Sequence, residues 1–313
     1  MFTEGEFRER VRADELRRRL ARTLLGVDPG QRLPTVRDLA AGHGASIGAT
    51  QGTLAQFEAE GTVSVDRRGR LGSTLVRRSI GQLWQAAEDV PLVLSLPLPL
   101  TRRTEGLATG IKALFRQAGV EAYLTFTRGG RHRLMELRQG RCHVAVMSAL
   151  AARELMGPRE SELLELPAGS FVLEHRVYFV DDGVCVEDSD GLRVVIDRDS
   201  LDFQRLSELE FEGSSVTFVP ASYMEAPLLL SQRKADAVIW DAEEAESRMP
   251  AGIHDRALSP RVVDRVGDTN LRAAFVGRSA DDSVARTVRA SLSPETLIGI
   301  QREVLASARL PSY

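Results

Sequence analysis

The sequence predicts an α/β chain in two parts: a small basic head built from helices and a hairpin, and a larger body in which short strands and helices alternate. Three observations predict this. Charge is unevenly spread: residues 1–79 carry 14 Arg against 10 Asp and Glu, whereas residues 80–313 carry 27 Lys and Arg against 34 acids, for a whole-chain net charge of −3. Helix-period spacing of apolar residues dominates the head. Short apolar runs such as VAVM (144–147) and AVIW (237–240) dominate the body, as expected where helices cover both faces of a parallel sheet. A chain of 313 residues has room for two domains, here 1–79 and 80–313, and buries about three quarters of its unfolded surface without a disulfide or metal.

Composition excludes several classes. An apolar fraction of 43% with 27% charge is that of a globular chain, not a disordered, collagenous or coiled-coil one. The longest apolar run, Val90 to Leu100, is broken by Pro91, Pro97 and Pro99 and is too short to span a bilayer, which takes ~20 residues. The first twenty residues hold no apolar segment of the secretory type. Cys142 and Cys185 form no CxxC pair, which fits a reducing compartment. A cytoplasmic protein without cofactor is the expectation.

In the head, Phe7, Val11, Leu16, Leu20, Leu24 and Leu25 recur at helical intervals over residues 5–25, and GVDPG (26–30) stops that helix. Leu33-Pro34 forces extended backbone. Thr35 then caps a short helix with Val36, Leu39 and Ala40 inward, which Gly42 and Gly44 break. Ser46 caps the next, with Ile47, Thr50, Leu54 and Phe57 on its inner face, and Gly61 ends it. Val63–Asp66 and Leu71–Val76 read as strands around a basic tip, Arg67-Arg68-Gly69-Arg70. That order is a winged helix-turn-helix.

LPTVRDLAAGHGAS, LAQFEAEGTV and RRGRLGSTLV resemble the DNA-binding domain of GntR-type bacterial transcription regulators over residues 6–78. The resemblance implies base contacts from Ser46, Gly48, Ala49, Thr50 and Gln51, and a phosphate clamp of Arg37, Arg67, Arg68 and Arg70, with Thr35 beside it. Gln51 suits adenine, and Ala49 or the Thr50 methyl suits a thymine methyl. The chain departs from the family where arginines usually start the second helix: residues 46–60 hold no Lys or Arg. A core position of that family is His43 here.

Residues 79–89 read as a linker or short helix. Strands are expected at 92–96, 121–127, 142–147, 171–180, 192–196, 215–219, 235–240 and 272–277. Helices are expected at 105–118, 131–139, 149–156, 201–209, 223–232, 242–248, 283–291 and 294–308. MELRQGRCHVAVM (135–147) and LLSQRKADAVIW (229–240) repeat one pattern of helix end, polar turn and buried strand, which suggests two lobes. This resembles type 2 periplasmic-binding-protein folds reused as effector domains. LPLPLTRRTEGLATGIKALF, IDRDSLDFQRL and KADAVIWD look like the C-terminal domain of YhfZ-like GntR-type regulators. The implied fold is a winged helix-turn-helix followed by a two-lobed, doubly wound α/β, periplasmic-binding-protein-like effector domain.

In such sheets ligands sit at the carboxyl ends of strands. Those ends carry Thr101, Arg102, Arg103, Thr104, Arg128, Ser148, Asp197, Ser200, Ser222, Tyr223, Trp240 and Asp241. Thr104 is placed to cap a helix whose N–H groups, with Arg102, Arg103 and Arg128, favour an anion. Trp240 offers a flat wall, and Asp197 and Asp241 accept hydroxyls or an ammonium. The expected ligand is a small polar metabolite with an acidic group. Glu243, Glu244 and Glu246 read as a solvated helix face, and Asp188–Gly191 as a turn lacking the downstream Glu of a calcium loop. The five histidines form no HExxH or HxH pair, the GASIG of residues 44–48 lies between two helices and so is no GxSxG elbow, and no GxxxxGK motif occurs, so no metal and no catalytic residue is expected.

These features point to a non-enzymatic, ligand-responsive transcription regulator, by default a repressor. Its partners are operator DNA, a small metabolite and a second copy of the chain, with no membrane. The alternative is a metabolite-binding protein or enzyme whose degenerate helix-turn-helix serves only for dimerisation.

Overall fold

The computed structural model describes residues 4–69, 72–181 and 190–313. They form two compact units: residues up to 92 with 113–123 and 280–293, and residues 93–112, 124–279 and 294–313.

The first unit starts with α1 (Glu4–Leu25). Val11 is exposed, so its buried stripe begins only at Leu16 and continues through Leu20, Leu24 and Leu25. Helix α2 (Val36–His43) opens on a reciprocal cap: the Thr35 hydroxyl accepts the Asp38 N–H while the Asp38 carboxylate accepts the Thr35 N–H. Gly42 lies inside this helix, and Gly44, at φ 63°, ends it in the left-handed conformation that glycine adopts without strain. Ser46 Oγ accepts the Ala49 N–H at 3.1 Å and starts α3 (Ile47–Ala59). The antiparallel hairpin of β1 (Val63–Arg67) and β2 (Ser73–Arg78) follows, and Arg70 and Leu71 lie outside the described residues. Leu39, Leu54, Phe57, Val63 and Leu75 close the core against α1. The Arg78 guanidinium donates to the Leu25 carbonyl at 2.8 Å and to that of Val27, satisfying acceptors that a helix C-terminus leaves without partners.

The segment at 79–89 is a helix, α4 (Ile80–Glu88), capped by Ser79. It buries Leu83, Trp84 and Ala87 and packs along α1. Helix α12 (Asp282–Ser291) packs on both. Glu88 joins the three: Arg22 Nε donates to it at 3.0 Å and Ser283 Oγ at 2.5 Å. Gly81 N–H donates to the Ala118 carbonyl at 3.0 Å, and that approach leaves no room for a side chain.

The second unit carries two lobes. Lobe 1 is a sheet of β3 (Leu92–Leu96), β4 (Ala122–Phe126), β5 (Val144–Ser148), β6 (Glu160–Glu165) and β12 (Ala273–Arg278), in the order β4-β3-β5-β12-β6. Its helices are α5 (Arg102–Gln117), α6 (Gly130–Arg138), α7 (Ala149–Leu155) and α13 (Pro294–Leu305). Lobe 2 is a sheet of β7 (His175–Phe179), β8 (Arg193–Ile196), β9 (Thr217–Pro220), β10 (Ala237–Asp241) and β11 (His254–Ala257), in the order β11-β7-β10-β8-β9. Its helices are α8 (Leu201–Glu210), α9 (Ala226–Ser231), α10 (Ala242–Arg248) and α11 (Pro260–Val266).

Both sheets are mixed rather than parallel. β3 pairs with β5, and β8 with β9 and β10, in parallel; β7 and β12 run antiparallel to their neighbours. The cause is connectivity. β7 and β12 each follow a crossover between lobes instead of a helix returning over the same sheet, so the constraint that makes consecutive strands parallel does not act on them. The crossovers are bonded to each other: Gly169 and Phe171 N–H donate to the Leu271 carbonyl, each at 3.0 Å. Among the described residues no helix is long and apolar enough to cross a membrane.

Candidate DNA-reading face and ligand cleft

On the head, Ser46, Gly48, Ala49 and Gln51 are exposed along one side of α3, and Arg37 is exposed on α2. Thr50 does not belong with them. It is fully buried, and its hydroxyl donates to the Ser46 carbonyl at 3.0 Å, because its position faces the core beside Leu54 and Phe57. Ile47, expected inward, is half exposed: it precedes the first full turn and points off the buried stripe. The wing arginines are tied to carboxylates. Arg67 makes a two-pronged contact with Glu58, and Arg68 Nε lies 2.7 Å from Asp66. Thr35 spends its hydroxyl on the α2 cap, donating to Asp38 at 2.6 Å. His43 is half-buried beside Thr23, and burial holds its imidazole below the usual range.

The second unit holds a cleft of about 90 Å³ between its lobes. Lobe 1 supplies Thr101 and Thr104 from the β3–α5 junction, and Arg128, Gly129 and Arg133 from the β4–α6 junction. Lobe 2 supplies Ser200, Asp202, Phe203, Tyr223, Asp241 and Glu244. The crossover adds Phe171, Val172 and His175. Of the residues expected to bind ligand, Thr101, Thr104, Arg128, Ser200, Tyr223 and Asp241 therefore meet in one place.

The others support the cleft or leave it. Helix α5 is capped by Thr101, whose Oγ1 accepts the Thr104 N–H at 3.2 Å; Thr104 sits one turn in and is not the cap. Arg102 turns away, donating to the Val304 carbonyl and Ser307 hydroxyl at 3.0 Å. Arg103 reaches lobe 2, with Nε and Nη2 on the Glu243 carboxylate at 2.7 and 2.8 Å. Neither arginine lines the cleft; each guanidinium is turned to these acceptors instead. Arg128 bridges the lobes as well, donating to Asp197 at 2.5 Å, Ser222 Oγ at 2.9 Å and Asp199 at 3.0 Å. Asp197 and Ser222 thus hold Arg128 rather than line the space. Ser148 is fully buried and donates to Asp202 at 2.6 Å. Trp240 is also fully buried: the Tyr223 ring stands between it and the cleft, centroids 5.7 Å apart and edge to face, and Phe203 continues the wall 4.8 Å beyond Tyr223. Glu243 and Glu244 are no solvated face, since Glu243 is paired and Glu244 is buried.

Burial sets the electrostatics. It pushes the Asp241 carboxyl up to about 7, with Glu243 and Glu244 adding to the rise, although the carboxylate accepts the Glu243 N–H at 2.9 Å. It raises Asp202 to about 6 and lowers the Arg133 guanidinium to about 10. His175 is held down to about 4, its Nδ1 2.9 Å from the Asn270 amide. Arg133, Asp202, His175 and Glu244 were not among the expected site residues. Arg133 is the fourth residue of α6 and Asp202 the second of α8, past the loops that follow the strands, so a reading of strand ends alone passes over them.

A YhfZ C-terminal domain family matches residues 80–313. The chain belongs to the YhfZ family. A helix-turn-helix domain family matches residues 28–75. Across nearly its whole length this YhfZ-family chain is similar to the protein called "Uncharacterized protein YhfZ" in Escherichia coli strain K12. The two are 32% identical over 299 residues, covering 94% of this chain and 95% of the relative. The crystal structure of YhfZ from Shigella flexneri is similar at 30% identity and a TM-score of 0.62, covering 74% of this chain and 98% of that one. An ancestral arginine-binding protein bound to arginine shares the fold of the body, at 15% identity and a TM-score of 0.51, over 69% of this chain and 97% of that one. The chain thus has a helix-turn-helix head followed by a body with a periplasmic-binding-protein-like fold.

Proposed function

We propose that the chain is a cytoplasmic transcription regulator with a GntR-type head, working as a homodimer, in which a small metabolite in the inter-lobe cleft changes operator affinity, with repression by operator occupancy the default. The observation that carries this reading is the pairing, in one chain, of a helix-turn-helix head with a bilobed body whose cleft gathers buried charged side chains. Cleft binding without turnover fits the lining, where Arg128 bridges the lobes and Asp241 caps a helix. Coupling of this kind amounts to ~1–3 kcal/mol and is reciprocal.

Fluorescence anisotropy on the chain's own upstream DNA and a shuffled control, at two salt concentrations, tests it. Tighter, salt-resistant binding to the native fragment is expected. With Arg37, Arg67 and Arg68 from each of two subunits on phosphates, the log–log salt slope should be about −5. Arg67→Ala with Arg68→Ala should abolish binding.

A second reading keeps the cleft and makes the head a dimerisation module. It is favoured by the absence of Lys and Arg from residues 46–60 and by the ion pairs that hold Arg67 and Arg68. No binding to either fragment, with function unchanged in Arg67→Ala with Arg68→Ala, would select it.

A further inference from the structure

Charge in the cleft is segregated by lobe. Among the described residues, the lobe 1 lining has two arginines, Arg128 and Arg133, and no carboxylate, and the lobe 2 lining has Asp202, Asp241 and Glu244 and no cation. Arg128 is engaged by Asp197 and Asp199. Arg133 is more than nine-tenths buried. Its Nη1 donates to the Thr127 carbonyl at 2.7 Å, but its Nε has no hydrogen-bond partner among the described residues. A buried guanidinium N–H without an acceptor is unfavourable, so the site is complete only when something supplies one.

The opposite wall has the reverse need. Asp241 and Glu244 are both buried, one turn of chain apart at the start of α10. Asp241 accepts one backbone N–H, and Arg248 lies 3.3 Å from Glu244 at an angle that makes no hydrogen bond. Two buried carboxylates side by side repel any ligand that is only an anion. A ligand that is only a cation leaves the Arg133 Nε without an acceptor. The cleft, about 90 Å³, is smaller than the ~150 Å³ cavity that holds a benzene, so both charges belong on one short molecule. Phe203 and Tyr223 leave an apolar wall for a short side chain.

We propose that the cleft takes a small zwitterion, with its ammonium against Asp241 and Glu244 and its carboxylate against Arg133. This rests on the reading of the cleft as an effector site and narrows it from acids in general to aminocarboxylates.

Isothermal titration calorimetry on the full chain tests the class. The probes are glycine, both enantiomers of alanine and serine, and the one-charge counterparts of alanine: lactate, which lacks the ammonium, and ethylamine, which lacks the carboxylate. Phosphoglycerate serves as an acid without an amine. At least one aminocarboxylate should bind at least 30-fold more tightly than lactate and ethylamine. Glu244→Gln should weaken it at least tenfold and leave lactate unchanged. Asp241→Asn, which keeps an acceptor for the Glu243 N–H, should do the same if the first variant does not fold. Lactate or phosphoglycerate binding as well as every aminocarboxylate would overturn the zwitterion and leave the effector reading standing. No heat from any probe would overturn the zwitterion, and if operator binding also ignored all of them the effector reading would fall with it.

Discussion

Arg128 ties the lobes together, and its removal should open the cleft. Arg128 is 29% exposed and makes three contacts across the gap: Asp197 at 2.5 Å, Ser222 Oγ at 2.9 Å and Asp199 at 3.0 Å. The Asp199 pair is solvated and contributes ~0–1 kcal/mol. The Asp197 carboxylate is buried, and a hydrogen bond to a charged group of that kind contributes ~1.5–3 kcal/mol. Asp197 is not abandoned when Arg128 is lost, because the Asp199 and Tyr223 N–H groups still donate to it at 2.9 and 3.0 Å. Arg128→Ala should therefore weaken closure by about 2 kcal/mol, or about 30-fold, where 1.4 kcal/mol is tenfold. Arg128→Lys keeps the charge but loses the planar fork, and should lose about half of that. Hydrogen exchange in α6 and α8, with small-angle scattering for the lobe separation, reads the change. The reasoning is refuted if Arg128→Ala exchanges and scatters like the parent protein, since the bridge would then contribute nothing to lobe geometry.

Three further outcomes follow from the same geometry. Gly81→Ala places a Cβ 2.0 Å from the Gly119 carbonyl oxygen, where backbone rather than a flexible side chain must yield, so the urea midpoint should fall by the equivalent of ~3 kcal/mol with an unchanged slope. Asp241 is held at about 7, well above its unfolded value, so between those limits the native state carries the extra proton and gains stability as pH falls from 8 toward 5. Asp202 acts in the same direction and His175, held at about 4, in the opposite one; melting curves of Asp241→Asn should thus show a flatter pH dependence than the parent, with Glu243, Glu244, Arg103 and His175 left in place around it. Burial raises the Cys142 thiol to about 12, so in a Cys185→Ser background a thiol reagent at pH 8 should leave the native protein unlabelled until urea is added.

Most elements were legible because apolar periodicity encodes them; the missing ones lack that signal. β6 (ESELLE) and β11 (HDRA) are polar edge strands, whereas the other two edges, β4 (AYLTF) and β9 (TFVP), keep apolar residues, and α11 is a seven-residue helix that opens on Pro260. The head was read almost residue by residue, since caps and glycines act locally: Thr35, Ser46 and Gly44 each behave as their chemistry dictates. The cleft was legible only as an address. Thr101, Arg128, Tyr223 and Asp241 sit at strand ends, where topology puts ligands, but which arginine faces the space depends on partners far away in sequence. Arg103 is claimed by Glu243 and Arg102 by the Val304 carbonyl, and no local pattern announces either pairing. Trp240 was misplaced for a related reason: a tryptophan ending a strand suits a binding wall equally well, and only the Tyr223 ring in front of it decides the matter.

The chain leaves lobe 1 after β6 and returns only for β12, which then inserts between β5 and β6. An inner strand of that sheet is therefore made last. On a ribosome the stretch of about 120 residues separating β5 from β12 emerges at ~5–20 residues per second, so the flank of β5 waits roughly ten seconds for its partner. Lobe 2 is complete by then, as an uninterrupted stretch of chain, and is the natural first piece to fold. A substitution that slows lobe 2 would leave β5, whose residues are all buried in the finished protein, as an open apolar edge during synthesis. Defects in lobe 2 should therefore lower the yield of folded protein in the cell by more than an equilibrium melt of the mature protein registers.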